Sequence, residues 1–136
     1  MIFEANKKHT WNLGLRSTFE YMDKCNVIMA GIGGLNEITT MYKDDRFNRE
    51  IVDHLVSKGC IGDIGFRFFN KDGEAIEQKY DERTIGYNIL KRKSKALVIG
   101  IAGGKGKYDA ILGALKGKYL DVLITDNETA ENLIRI

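Results

Sequence analysis

The order of apolar and polar positions divides the chain into alternating strand-like and helix-like segments. In RSTFEYMDK, Arg16 to Lys24, Phe19 and Met22 lie three apart on one helical face and Tyr21 on another. Asn26 to Gly31 (NVIMAG) is a short unbroken apolar run. Such a run predicts a parallel strand covered on both faces, since burial on both sides removes the alternation; the GIGG of Gly31 to Gly34 predicts a loop behind it. FNREIVDHLVSKG predicts a helix whose stripe is Ile51, Leu55 and either Val52 or Val56, stopped at Gly59.

CIGDIGFRFF is rich in β-branched and aromatic residues and runs into the turn composition NKDG at Asn70 to Gly73, so Ile64–Phe69 is expected to pair with Glu74–Gln78. Ile85, Ile89 and Leu90 form a short helical face. Ala96 to Ala102 (ALVIGIA) is a second apolar strand, again followed by glycine. The period then changes to helical, with Tyr108, Ile111, Leu112 and Leu115 expected on the buried face and Gly117 at the end. Asp121 to Thr125 is a third apolar strand. Asp126 to Ile134 closes the chain as a helix that Asp126 can cap, with Ala130, Leu133 and Ile134 inward. Strand, glycine loop, helix, strand, helix from Ala96 onward predicts an α/β fold with parallel pairing and right-handed crossovers.

Composition narrows the class. At 136 residues one domain is expected. A hydrophobic share of 43% beside 29% charged residues is that of a water-soluble globular chain. Twenty-one Lys and Arg against nineteen Asp and Glu leave +2, which argues against nucleic-acid contact by this segment. The lysine clusters at 91–95 and 105–118 are expected on a solvated rim. Cys25 and Cys60 stand outside any C-x-x-C spacing and away from a histidine cluster, so free thiols in a reducing compartment are expected and neither a metal site nor a cofactor is called for. No apolar run approaches a membrane span, and the cytoplasm is the simplest location. With no proline present, fifteen glycines carry the punctuation.

In open parallel sheets ligands gather outside the carboxyl ends of the strands, and both glycine clusters stand there. In AGGKGKYDA, Gly103 and Gly104 let the backbone approach a ligand, the helix behind offers N–H groups to negative charge, and Lys105 and Lys107 add a mobile cation. The spacing is neither that of a P-loop nor of a dinucleotide fingerprint, and the glycines serve equally as tight turns. Asp63, between two glycines at the approach to a strand, can accept hydrogen bonds from sugar hydroxyls or serve as an exposed turn residue. His9 and His54 form no acid and nucleophile pairing.

Taken in order, NVIMAGIGG, GCIGDIGFRFFNKDGEAI and RTIGYNILKRKSKALVIGIAGGKGKYDAILGALKGKYLDVLITDNETAENLI resemble the effector-binding domain of SorC- and DeoR-like bacterial transcriptional regulators. The resemblance runs from about Phe19 to Ile134 and is densest in the later part. It implies a Rossmann-like parallel sheet flanked by helices, with a β-hairpin insertion, akin to sugar-phosphate isomerases. It implies a phosphorylated sugar or related metabolite bound without turnover, Lys107 contacting it, Asp63 on its hydroxyls, and Gly31 and Gly33 lining the same crevice. The family's helix-turn-helix and first βα portion have no counterpart in residues 1 to 15, so residues 1–136 are expected to form a partial effector domain, DNA being reached only through that helix-turn-helix. An open sheet edge predicts a homo-oligomer. An isomerase-like enzyme and an oligomerisation segment that binds nothing are the competing expectations.

Overall fold

The computed structural model describes residues 15–36, 49–76, 84–92 and 95–135. Helix α1 (Arg16–Met22) leads into strand β1 (Val27–Gly31), which lies parallel to β6 (Leu97–Ile101), itself parallel to β7 (Val122–Ile124), in the order β1-β6-β7. A second, antiparallel sheet runs β2 (Gly33–Gly34), β3 (Cys60–Ile64), β4 (Arg67–Asn70), β5 (Ala75–Ile76). Helix α2 (Arg49–Ser57) precedes β3, α3 (Tyr108–Lys116) joins β6 to β7, and α4 (Asn127–Ile134) follows. The α/β, Rossmann-like reading with its hairpin insertion therefore holds.

The core lies where α3 meets both sheets. Ile32, Ile64, Phe69, Val98, Ile111 and Ala114 are buried together there, while Leu35, Val52, Leu55, Cys60 and Phe68 form a smaller cluster under α2. Small residues let α3 come close to β3. A Cβ on Gly62 would stand 2.6 Å from that of Ala110, and one on Gly113 would meet the Asn70 carbonyl oxygen and Ile61 Cδ1 at 3.0 Å. At the other end of α3 the NKDG turn packs on Gly117, and the Tyr119 hydroxyl donates to the Gly73 carbonyl. Arg92 fixes the start of β7: its guanidinium reaches Asp121 at 2.5 Å and the Ala96 carbonyl at 2.8 Å, and Asp121 accepts from the Val98 N–H. This basic residue is thus a strut between strands rather than part of a solvated rim.

Several expectations are corrected. GIGG is not a simple loop, because Gly33 and Gly34 pair with Asp63 and Gly62. CIGDIGFRFF is two strands: Gly65 and Phe66, both at φ +59°, make a two-residue turn of the kind whose left-handed backbone matches strand twist. Asp63 is accordingly inside β3. The pairing toward Ala75 and Ile76 is as expected, and Gln78 lies outside the described residues. Of the expected face of Ile85, Ile89 and Leu90, the last two enter a single helical turn, Ile89–Lys91, and Ile85 is exposed.

The buried face of α3 is Ala110, Ile111, Gly113 and Ala114, with Leu115 turned outward, because closeness to β3 selects small side chains over long ones. Ile134 is exposed, and Thr129 is the buried residue of α4. Cys60 is buried, but Cys25 is exposed. Among the described residues nothing covers the outer face of the parallel sheet, against the expectation of strands covered on both faces. Val52 rather than Val56 completes the α2 stripe, Gly59 (φ +78°) stops that helix, and Asp126 caps α4, as read.

Replacement at two leucine-sized positions of α3, Ile111 and Leu115, separates the faces. Ile111→Ala is expected to cost about 2–5 kcal/mol in a denaturant melt, because the cavity sits in a packed core, and Leu115→Ala about 0.5 kcal/mol or less, as for other surface changes.

Candidate functional site

The carboxyl ends of β1 and β6 and the N-terminal end of α3 face the β2–β3 edge, and this geometry gathers the glycine segments. β3 presents Asp63 opposite Gly33, where a Cβ would stand 2.1 Å from Asp63 Oδ1; only glycine leaves that carboxylate its place. Asp63 Oδ2 accepts the Phe66 N–H at 2.9 Å, so the tight turn orients it. Burial pushes its pKa above the ordinary carboxylate value, while the Phe66 N–H and the nearby Lys107 ammonium act in the opposite direction. Lys107, half-buried, stands at the junction between the single helical turn Lys105–Lys107 and α3.

The 103–107 loop is held from both sides. Asn36, just beyond β2, donates through Nδ2 to the Gly106 carbonyl at 2.6 Å. Asp126, at the end of β7, accepts the Gly104 N–H at 2.6 Å as well as the N–H and hydroxyl of Thr129 at 2.9 and 2.8 Å. These donors hold its carboxyl at a pKa of about 2. Gly103 must be glycine, since a Cβ would lie 2.3 Å from Asp126 Oδ2, and Gly104 adopts φ +93°.

The site residues read from sequence are thus brought together unequally. Gly33, Asp63 and Lys107 share one corner. Gly103 and Gly104 shape the neighbouring loop, where the Gly104 N–H already bonds to the Asp126 carboxylate. Gly31 ends β1 opposite Ile101, with ordinary space around it. Lys105 turns outward to Glu128 at 3.4 Å, so Lys107 supplies the charge at this corner. Asn36 and the loop-holding role of Asp126 escaped sequence reasoning; the cap was legible in Asp126 itself, but its bond to a residue 22 positions away leaves no periodic trace. Among the described residues no cluster of His, Cys, Asp and Glu could hold a metal, and no helix is long and apolar enough to cross a membrane.

Residues 9–135 match the family model described as "Putative sugar-binding domain". The sorbitol operon regulator of Klebsiella pneumoniae is 34% identical over 115 residues, covering 85% of this chain and 36% of the regulator. The deoxyribonucleoside regulator of Bacillus subtilis is 34% identical over 111 residues, 82% of this chain and 35% of that protein. The crystal structure of the full-length Klebsiella regulator superposes with a TM-score of 0.80 at 30% identity over 95% of this chain and 42% of that one. The sugar-binding domain of a transcriptional repressor from Vibrio fischeri gives 0.78 at 28% identity over 96% and 52%. The chain spans little more than a third of the curated relatives' length.

The carboxylates differ in sign. In a carboxyl titration by NMR, Asp126 is expected to ionise near 2 and Asp63 above its ordinary value. Asp126 then contributes stability that is present above about pH 4, the unfolded value, and is lost as pH falls through about 2, whereas Asp63 disfavours the fold increasingly as pH rises from about 4 through its raised value. Asp126→Ala should speed hydrogen exchange at the Gly104 amide at least tenfold; unchanged exchange would show that the loop is held by other contacts.

Proposed function

This chain belongs to the sugar-binding-domain family of SorC- and DeoR-type transcriptional regulators, and from that premise we propose that it is the effector-binding portion of such a regulator, sensing a phosphorylated sugar. The observation that carries this reading is the corner where Asp63, oriented by the Phe66 N–H, lies under the influence of Lys107 while Gly33 keeps the space beside it clear. A carboxylate accepts from two hydroxyls and an ammonium donates to hydroxyl, carbonyl or phosphate oxygens, a combination suited to a polyhydroxylated ligand. Gly31, Gly103 and Gly104 form the backbone rim of the same crevice.

In this reading the sugar shifts an equilibrium between two states of an assembled repressor or activator by binding one of them better. DNA contact belongs to a helix-turn-helix outside the sugar-binding domain, and the assembly works in the cytoplasm. Copies associate through strand edges: β1 and β7 both end their sheet among the described residues, and an edge offers a row of backbone donors and acceptors to another chain.

An enzyme of the sugar-phosphate isomerase kind is the second reading, favoured by the raised pKa of Asp63, since general acid–base work uses a carboxyl tuned toward neutral pH. The relatives named above are regulators, which supports binding without turnover.

Thermal-shift and calorimetric titration with sorbitol 6-phosphate and 2-deoxyribose 5-phosphate, beside their unphosphorylated forms, test the proposal. A true effector at a hundred times its Kd adds about 2.7 kcal/mol to stability. Lys107→Ala and Asp63→Asn should each weaken binding at least tenfold, and Asp63→Asn should leave the fold at least as stable at pH 7. Equal binding by both variants would remove these residues from the site, and turnover lost in Asp63→Asn would favour the enzyme.

A further inference from the structure

The corner joins two groups that reach it on separate elements. Asp63 stands on β3, and Lys107 at the start of α3. One short segment, residues 33 to 36, touches both sides. Gly33 pairs with Asp63 and Gly34 with Gly62, the Leu35 N–H donates to the Ile61 carbonyl at 2.8 Å, and the Leu35 side chain is buried in the cluster under α2. The backbone is therefore fastened to β3 up to the residue before Asn36. Asn36 then reaches across, its Nδ2 donating to the Gly106 carbonyl at 2.6 Å.

What this bond holds is a single peptide unit. The Gly106 carbonyl and the Lys107 N–H lie in one plane, and the Lys107 N–H donates to the Gly104 carbonyl at 2.9 Å. The unit is thus clamped at both edges, by Asn36 on one side and by the loop itself on the other. Lys107 leaves that plane with φ −115° and ψ −4°. Before it stands Gly106, and a glycine backbone turns more freely than that of any other residue. With the Asn36 bond gone the plane is held at one edge and can turn at Gly106, and the Lys107 side chain swings with it. An ammonium on a flexible four-carbon stem has little direction of its own, so its place near Asp63 depends on where the stem begins.

We propose that Asn36 is a positioning residue: by tying the Gly106–Lys107 peptide to the segment that also borders Asp63, it sets where the Lys107 ammonium stands relative to that carboxylate. The consequence for a ligand rests on the effector-binding reading above. A sugar that bridges the two groups meets them at the spacing that residues 33 to 36 fix, and it loses affinity when Asn36 no longer donates.

The first test needs no ligand. The Lys107 charge lowers the pKa of Asp63, so the Asp63 carboxyl, titrated by NMR in the 136-residue chain, reports how near the ammonium stands. Asn36→Ala and Lys107→Ala are each expected to raise that pKa, and the double variant to raise it no further than Lys107→Ala alone, because both act through one charge. Asn36→Leu removes the donor at similar shape and repeats the comparison should alanine unsettle the fold. An Asp63 pKa that keeps its wild-type value in Asn36→Ala, or shifts that add in the double variant, would overturn the proposal. The second test adds sorbitol 6-phosphate or 2-deoxyribose 5-phosphate. Asn36→Ala should weaken binding about tenfold, and less than about twofold when Lys107 is already alanine. No loss in Asn36→Ala beside a loss in Lys107→Ala overturns the proposal, and so does a full loss in the Lys107→Ala background, since Asn36 would then act on the ligand directly. No binding at all, or binding untouched by Lys107→Ala, counts against the effector reading, while the Asp63 titration by itself decides the placement.

Discussion

The close approach of α3 to β3 is the constraint on which the rest depends. With Gly62 under Ala110, and Gly113 against the Asn70 carbonyl, the helix has no room to rise, tilt or slide without opening the core around Ile111 and Phe69. The site follows from that contact. Asp63 is the residue after Gly62, and Lys107 lies three before Ala110, so the spacing that packs the helix also brings the carboxylate and the ammonium to one corner. A bulkier residue at either contact would lift α3 and separate the pair. The same closeness explains why the helix buries alanine and glycine while Leu115 faces water.

Electrostatics divide the loop from the corner. A glycine-rich turn before a helix offers N–H groups to an anion, but here the Asp126 carboxylate already takes the Gly104 N–H, and its pKa of about 2 shows how strongly the surrounding donors favour its charge. A second anion brought against Gly103 and Gly104 would meet that charge. In the proposed site a ligand would meet the Asp63 carboxyl and the Lys107 ammonium instead, groups that suit hydroxyl and carbonyl oxygens. On that proposal the corner takes the hydroxylated end of a sugar phosphate rather than the phosphate itself.

Much of this was legible in the chain. Apolar runs at 26–31, 96–102 and 121–125 become the parallel strands because short β-branched runs bounded by glycine and polar residues favour β structure, although only one face of that sheet is packed on the core. Gly59 and Asp126 end and begin helices for local reasons that a short window contains. What stayed hidden is long-range. The turn at Gly65 and Phe66 was invisible because phenylalanine seldom takes a left-handed backbone, and Asp63 holding its N–H is a feature of the folded hairpin. The inward face of α3 was misjudged because periodicity counts large apolar residues, whereas this interface selects small ones. Asn36 reaching Gly106 joins positions 70 apart, and no pattern along the chain encodes such a bond.

The rigidity of α3 limits how a bound ligand could be sensed. A sliding helix needs two packings of similar energy, and the Gly62–Ala110 contact leaves one. Movement would be easier in the segments tied down by side-chain bonds than in the packed core: the 103–107 loop between Asn36 and Asp126, and the Gly65–Phe66 turn tied to Asp63. A ligand that draws on Asp63 competes with the Phe66 N–H, and one that draws on Lys107 pulls at the loop Asn36 holds. Differential contacts with two loop arrangements, rather than strain in the core, are what such a ligand has to work on. The packed half of the molecule then acts as the fixed frame against which those loops change.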